Sequence, residues 1–320
     1  MRWVSALAAA AALLGATGAV AADAPASRPD LVLRGDAECT RCHNEGDESP
    51  VLAIGKTKHG NVADGRTPTC TSCHGLSPTH AHKPADATER PKPERTFGKN
   101  SLTPIAARNE ACMACHRRDA ARSHWEGSTH QTRDLACTTC HRIHAQHDPV
   151  RDKLTQADVC FACHKEQRAI FSRPSRHPIL EGKVACSDCH NPHGSAGPRL
   201  MKRDSVNDTC YTCHMEKRGP FVHNHEPVSE DCTLCHNPHG TVVENMLKAR
   251  APFLCHQCHT PHGPNVPQLL GAQVVPNTAS TTGKNAINIT MARGCLNCHT
   301  EVHGSNNPSV TNPTPQFRLR

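Results

Sequence analysis

Ten times in 320 residues the stretch Cys-x-x-Cys-His recurs, and no cysteine lies outside it. The pairs are Cys39/Cys42, Cys70/Cys73, Cys112/Cys115, Cys137/Cys140, Cys160/Cys163, Cys186/Cys189, Cys210/Cys213, Cys232/Cys235, Cys255/Cys258 and Cys295/Cys298. The histidines that follow at once are His43, His74, His116, His141, His164, His190, His214, His236, His259 and His299. This is the attachment signature of c-type haem. Two thiols add to the two vinyl groups on one porphyrin edge, and the next imidazole then lies under the ring, within reach of the iron. Zinc ribbons and redox disulfides also use C-x-x-C, but neither requires a histidine after every pair. With 25 His among 320 residues, a chance His costs odds of about one in thirteen at each motif, so ten in succession exclude coincidence. The expectation is ten covalently attached c-type haems.

That expectation explains an otherwise unfoldable composition. Hydrophobic residues make up 36% and aromatics 3%, below the ~45–50% apolar content of ordinary domains. Such a chain is disordered or stapled; here the porphyrins supply the core. The predicted fold class is a multihaem cytochrome c, elongated, mostly coil with short α-helices and little or no β, with roughly one haem per 30 residues. The net charge of +7 is read as a counter-charge to the haem propionates. Lys and Arg are scattered without a dense block, so no nucleic-acid partner is expected.

Arg2, the apolar run Val4–Val20 and the Ala19-Val20-Ala21 cleavage site read as a secretory signal peptide over 1–22. Export places the cysteines in an oxidising compartment. No later run approaches 18 apolar residues, so the mature chain has no transmembrane helix of its own. Residues 23–320 read as a single elongated domain. Within it, 83–111 is Pro-rich, charged and linker-like, and 264–294 is almost uncharged. Phe161 and Tyr211, inside their C-x-x-C loops, are expected to pack on porphyrin.

Each iron needs a second axial ligand. Only six methionines exist and none recurs at a fixed offset from the motifs, so the His/Met ligation that raises potential is not general. Fifteen further histidines are available. After the first motif of each pair one follows at longer range: His59, His130, His177 and His225. After the second motif one follows quickly: His80 or His82, His144, His193 and His239. The fifth pair is irregular, with His262 and His303. The repeat is a dihaem unit, CxxCH–H–CxxCH–H, and bis-His ligation is favoured. His124, His147, His223 and His256 are not expected to be ligands.

CSDCHNPHG at 186–194 and CTLCHNPHG at 232–240 sharpen this. His239 cannot close the iron held by His236. The two Cα atoms would stand on opposite faces of one porphyrin, on the order of 12 Å apart, and three extended residues reach at most ~11 Å. Asn237-Pro238 and Gly240 favour a turn instead. His239 is therefore expected on a neighbouring haem, as are His144, His193 and His262.

SVNDTCYTCHMEKRGP at 205–220, MLKARAP at 246–252 and CLNCHTEVHGSNNPS at 295–309 resemble the periplasmic decahaem cytochromes of outer-membrane electron conduits, of the MtrA, MtoA and PioA type with the related DmsE group. The resemblance covers nearly the whole mature chain. It implies ten bis-His haems in a row and a location in the periplasm, attached to the outer membrane through a β-barrel porin. Partners would be periplasmic electron carriers or an inner-membrane quinol-linked cytochrome on one side, and an extracellular multihaem cytochrome or substrate on the other. Carried over by position, the distal set is His59, His130, His144, His177, His193, His225, His239, His262 and His303, with one of His80 and His82. The expected function is electron transfer rather than enzyme catalysis. The alternatives are a multihaem reductase with one open haem and a freely diffusing periplasmic shuttle.

Overall fold

In each motif a Cys at one position, a second Cys three residues on and a His four residues on share one helical turn. The structure, a computed structural model, describes residues 36–44, 46–47, 50–61, 66–259, 294–297 and 299–306. The 1–22 leader, His262, Cys298 and all but the last residue of 264–294 lie outside the described residues. The histidine N–H donates to the carbonyl of the first cysteine at 2.9–3.1 Å in the motifs of His43, His141, His164, His190, His214, His236, His259 and His299. One turn thus presents two sulfurs and an imidazole together.

The motifs alternate in how they use that turn. Those of Cys112, Cys160 and Cys210 come at the C-terminal ends of the helices Ile105–His116, Lys153–Phe161 and Val206–Tyr211. Those of Cys70, Cys137 and Cys186 begin the short helices Cys70–His74, Cys137–Cys140 and Cys186–Cys189. Polar caps start several of these helices. Asp152 accepts from the Leu154 N–H, Ser205 from the Asp208 N–H, and Thr69 forms a reciprocal capping box with Ser72. Among the described residues the only sheet pairs His223–Asn224 with Gly304–Ser305, antiparallel, His223 opposite Ser305. No helix among the described residues is long and apolar enough to cross a membrane.

The apolar core is small, as the composition requires. Ala157, Phe161, Phe171 and Ile179 form one buried cluster, with Phe161 and Phe171 rings 6.0 Å apart. Phe161 is therefore packed by protein, which corrects its expected place on a porphyrin. Its helix turns it inward against Phe171, in a cluster that Val184 and Cys186 also flank. Met113, Trp125, Ala136 and Ala185 are buried singly outside it, whereas Leu102 is 94% exposed and Leu76 78%. The linker-like 83–111 is more than a spacer. Pro91 and Arg95 carbonyls accept from His80 and His74, the Glu94 carboxylate accepts from the Ser77 N–H, and residues 105–111 are already helix.

Candidate haem sites

Nine of the ten motif histidines face a second histidine across a gap of nearly constant width. The pairs are His43–His80, His74–His144, His116–His59, His141–His193, His164–His130, His190–His239, His214–His177, His236–His303 and His259–His225. Their ring centroids lie 6.0–6.3 Å apart. That is too far for ring stacking contact. Two metal–imidazole bonds of about 2.0 Å, plus about 1.1 Å from each ring nitrogen to its centroid, come to about 6.2 Å. The donor set and spacing therefore fit one iron between each pair. His299 is described, but the expected His262 lies outside the described residues.

Each facing pair joins histidines from different parts of the chain. His239 stands opposite His190, and His193 opposite His141, so neither faces the histidine three residues before it. His80 and His82 separate clearly. His80 faces His43 and its Nδ1 meets the Pro91 carbonyl at 2.7 Å, whereas the exposed His82 Nε2 pairs with Glu38 at 2.5 Å. Of the histidines not expected to ligate, His147 sits beside Asp152 at 3.5 Å.

Hydrogen bonds orient the rings. Ten of the facing histidines have an Nδ1 hydrogen-bond partner, and an eleventh, His214, has the Glu216 carboxylate 3.7 Å from Nδ1. Eight bond backbone carbonyls: His74 to Arg95, His80 to Pro91, His130 to Pro192, His144 to Val51, His177 to Pro238, His190 to Arg199, His225 to Val302 and His236 to Asn245. Two bond carboxylates: His43 to Asp47 at 2.9 Å and His141 to Asp148 at 2.8 Å. A donor bond at Nδ1 fixes the tautomer and leaves Nε2 for a metal. Burial pushes the His193 imidazole down to about 4, with nearby Arg122 adding to the shift. It also lowers His59, His74, His116, His190, His239 and His303. Neutral rings are the ligand form.

The Asn-Pro-His-Gly turns carry out two tasks at once. The Asn191 and Asn237 carbonyls accept from Gly194 and Gly240 at 3.0 and 3.1 Å, and their side-chain oxygens accept from the His193 and His239 N–H. Gly194 and Gly240 adopt φ of +106° and +142°, which glycine alone takes without strain. The histidine of the turn then faces one motif, while the preceding proline carbonyl orients the histidine of another. Pro192 holds His130, and Pro238 holds His177. Val302-His303 repeats the device with His225, and residues 51–59 do so with Val51 on His144 and His59 opposite His116.

A second set of residues was not singled out from the sequence. Asp36, Asn109, Gln156 and Asn207 are buried, each three or four residues before the first cysteine of a motif. Each reaches the start of the next motif. Asp36 accepts from Cys70 N–H with both oxygens at 2.9 and 3.0 Å, Asn109 from Cys137 at 2.9 Å, Gln156 from Ser187 at 2.9 Å and Asn207 from Cys232 at 2.8 Å. The signal was available as a recurrent Asp/Asn at minus three. Pro252 occupies that position before Cys255, which is the irregular fifth pair.

These staples bring the first cysteines of paired motifs together. Side chains of Cys39 and Cys70, Cys112 and Cys137, Cys160 and Cys186, Cys210 and Cys232, and Cys255 and Cys295 are within hydrogen-bond reach. Asp36, Cys39 and Cys70 lie close enough to mimic a metal site, but they belong to this attachment edge. The second cysteines lie near enough to act on one another electrostatically across the other junctions: Cys73 with Cys115, Cys140 with Cys163, Cys189 with Cys213 and Cys235 with Cys258. The motifs therefore follow one another in space as in sequence.

Cys42, expected to hold the first haem together with Cys39, keeps the attachment turn, its N–H donating to the Cys39 carbonyl at 3.2 Å. It is exposed, as are the second cysteines Cys115, Cys140, Cys163, Cys213 and Cys258.

Comparisons with known proteins agree. The chain is 43% identical over 282 residues to the multiheme cytochrome MtrA of Shewanella baltica, an alignment covering 86% of this chain and 80% of that protein. It is 28% identical over 111 residues to the cytochrome c-type protein NrfB of Haemophilus influenzae, covering 34% of this chain and 49% of that one. A doubled CXXCH motif family matches residues 177–219 and 225–263, and an NrfB-like cytochrome c family matches 70–154.

Proposed function

The chain belongs to the MtrA-type multihaem cytochromes, electron-transfer proteins with covalently bound c-type haem, and from that premise we propose that it is a ten-haem electron wire. When bound, haem iron supplies one-electron redox chemistry. The twenty cysteines would hold the groups, the ten motif histidines would ligate from one side, and the distal histidines would close the other: His59, His80, His130, His144, His177, His193, His225, His239, His262 and His303. With imidazoles supplied from both sides, no place would be left for a substrate, so the protein would transfer electrons without turning a substrate over.

The observation that carries this reading is the set of facing histidine pairs at 6.0–6.3 Å, each linking two motifs. Ligands and neighbours are thereby shared along a single file, and each staple or turn holds the distance to the next site. Distance and orientation between adjacent groups are what a chain of one-electron steps depends on, and the protein sets both with buried hydrogen bonds.

The leader-like N-terminus and the resemblance noted above support a place in the periplasm. There the wire would dock in an outer-membrane β-barrel and join periplasmic donors, such as a quinol-linked cytochrome, to an extracellular multihaem cytochrome or substrate. Affinity purification of the holoprotein from solubilised outer membranes tests this. Recovery of a stoichiometric β-barrel protein is expected, and recovery of the chain alone from the soluble periplasmic fraction would indicate a diffusing shuttle.

A further inference from the structure

Eight of the ten Nδ1 bonds to facing histidines end on backbone carbonyls, and two end on carboxylates. The difference is one of charge. A carboxylate that accepts from Nδ1–H draws the proton toward itself and leaves the ring more basic. A more basic axial ligand favours the ferric over the ferrous state, because ferric iron carries the larger charge. A hydrogen bond behind the ligand is one of the levers that set haem potential.

Resting on the ten-haem reading, we propose that Asp148 makes the fourth site, held by Cys137, Cys140 and His141, a low-potential step within the wire. Asp148 Oδ2 lies 2.8 Å from His141 Nδ1. Its other oxygen accepts from the Arg142 N–H at 3.2 Å, so both lone-pair sides are directed by protein. The Asp148 side chain is 16% exposed against 26% for Asp47 at His43, and its charge is the less screened of the two. Arg122 is the cation acting on the facing His193, and it is itself paired with Asp119. The step is a one-electron uptake, with no bond made or broken and the electron supplied in the test by dithionite through mediators. A low-potential site in fourth place is a rise that an electron crosses in either direction of flow.

The test is a spectroscopic redox titration of the full-length holoprotein and three variants. Asp148→Asn keeps an oxygen for Nδ1–H and removes the charge. Asp148→Glu keeps the charge. Asp86→Asn removes one negative charge from an exposed turn. The expected result is that about a tenth of the absorbance amplitude moves to more positive potential in Asp148→Asn, while Asp148→Glu and Asp86→Asn overlay the wild type. Haem count and low-spin signals remain those of the wild type. An Asp148→Asn curve that overlays the wild type, or an equal shift in Asp86→Asn, overturns the proposal. A wild-type protein lacking ten haems or showing high-spin iron defeats the underlying reading instead.

Discussion

Asn207→Leu tests the staple between the seventh and eighth motifs. Asn207 is 6% exposed, its oxygen accepts from the Cys232 N–H at 2.8 Å, and its amide donates to the Val228 and Ser229 carbonyls at 2.9 and 3.0 Å. Leucine has a similar volume but satisfies none of the three. At about 0.5–1.5 kcal/mol per bond, the loss is about 3 kcal/mol, or roughly a hundredfold in a local opening equilibrium. Hydrogen–deuterium exchange on the holoprotein reads this at the Cys232 amide and its neighbours. Exchange there is expected to quicken about a hundredfold in Asn207→Leu. Asn207→Asp should fall between, because it keeps the acceptor and loses the donor. Exchange in Asn207→Leu within about threefold of wild type would refute the claim that this side chain fastens the two motifs together.

His239→Met should alter the haem on Cys186 and Cys189, since His239 faces His190. Its potential should rise by at least about 60 mV, the one-electron equivalent of a tenfold change in relative ferric and ferrous binding. A change at the haem on Cys232 and Cys235 would contradict the crossed pairing. His80→Ala should convert one haem to high-spin by EPR, while His82→Ala, which removes only an exposed pair with Glu38, should leave every low-spin signal in place. Gly194→Ala should destabilise by about 2 kcal/mol or more. The position has φ +106°, and a Cβ would run into the His124 carbonyl. Guanidinium unfolding of the holoprotein measures it, and an unchanged midpoint would contradict the argument.

The attachment chemistry was legible because it is local: two thiols and an imidazole within one turn need no tertiary information. The turn at Asn237-Pro238 was legible for the same reason, and chain reach alone forbade His239 from facing its neighbour. Which motif each distant histidine would face was not. His59 stands opposite His116, two motifs on, and no spacing rule states that. His80 and His82 are equivalent as sequence; they are separated by the Pro91 carbonyl, which the 83–111 stretch brings back over the second motif. The staples escaped notice because a buried Asn has no periodic signature. Only its recurrence three residues before Cys39, Cys112 and Cys210, as Asp or Asn, points to it. Phe161 was misplaced because its C-x-x-C loop position was weighed above the helical face it shares with Ala157.

Low-temperature EPR on the purified oxidised holoprotein, with the haem number taken from the mass of the same sample, addresses the central claim in one preparation. The account predicts ten haems per chain, all low-spin with bis-imidazole signatures, and no spectral change on adding carbon monoxide to the reduced protein. Zinc or cystine in place of haem, or an iron that binds carbon monoxide, would contradict it.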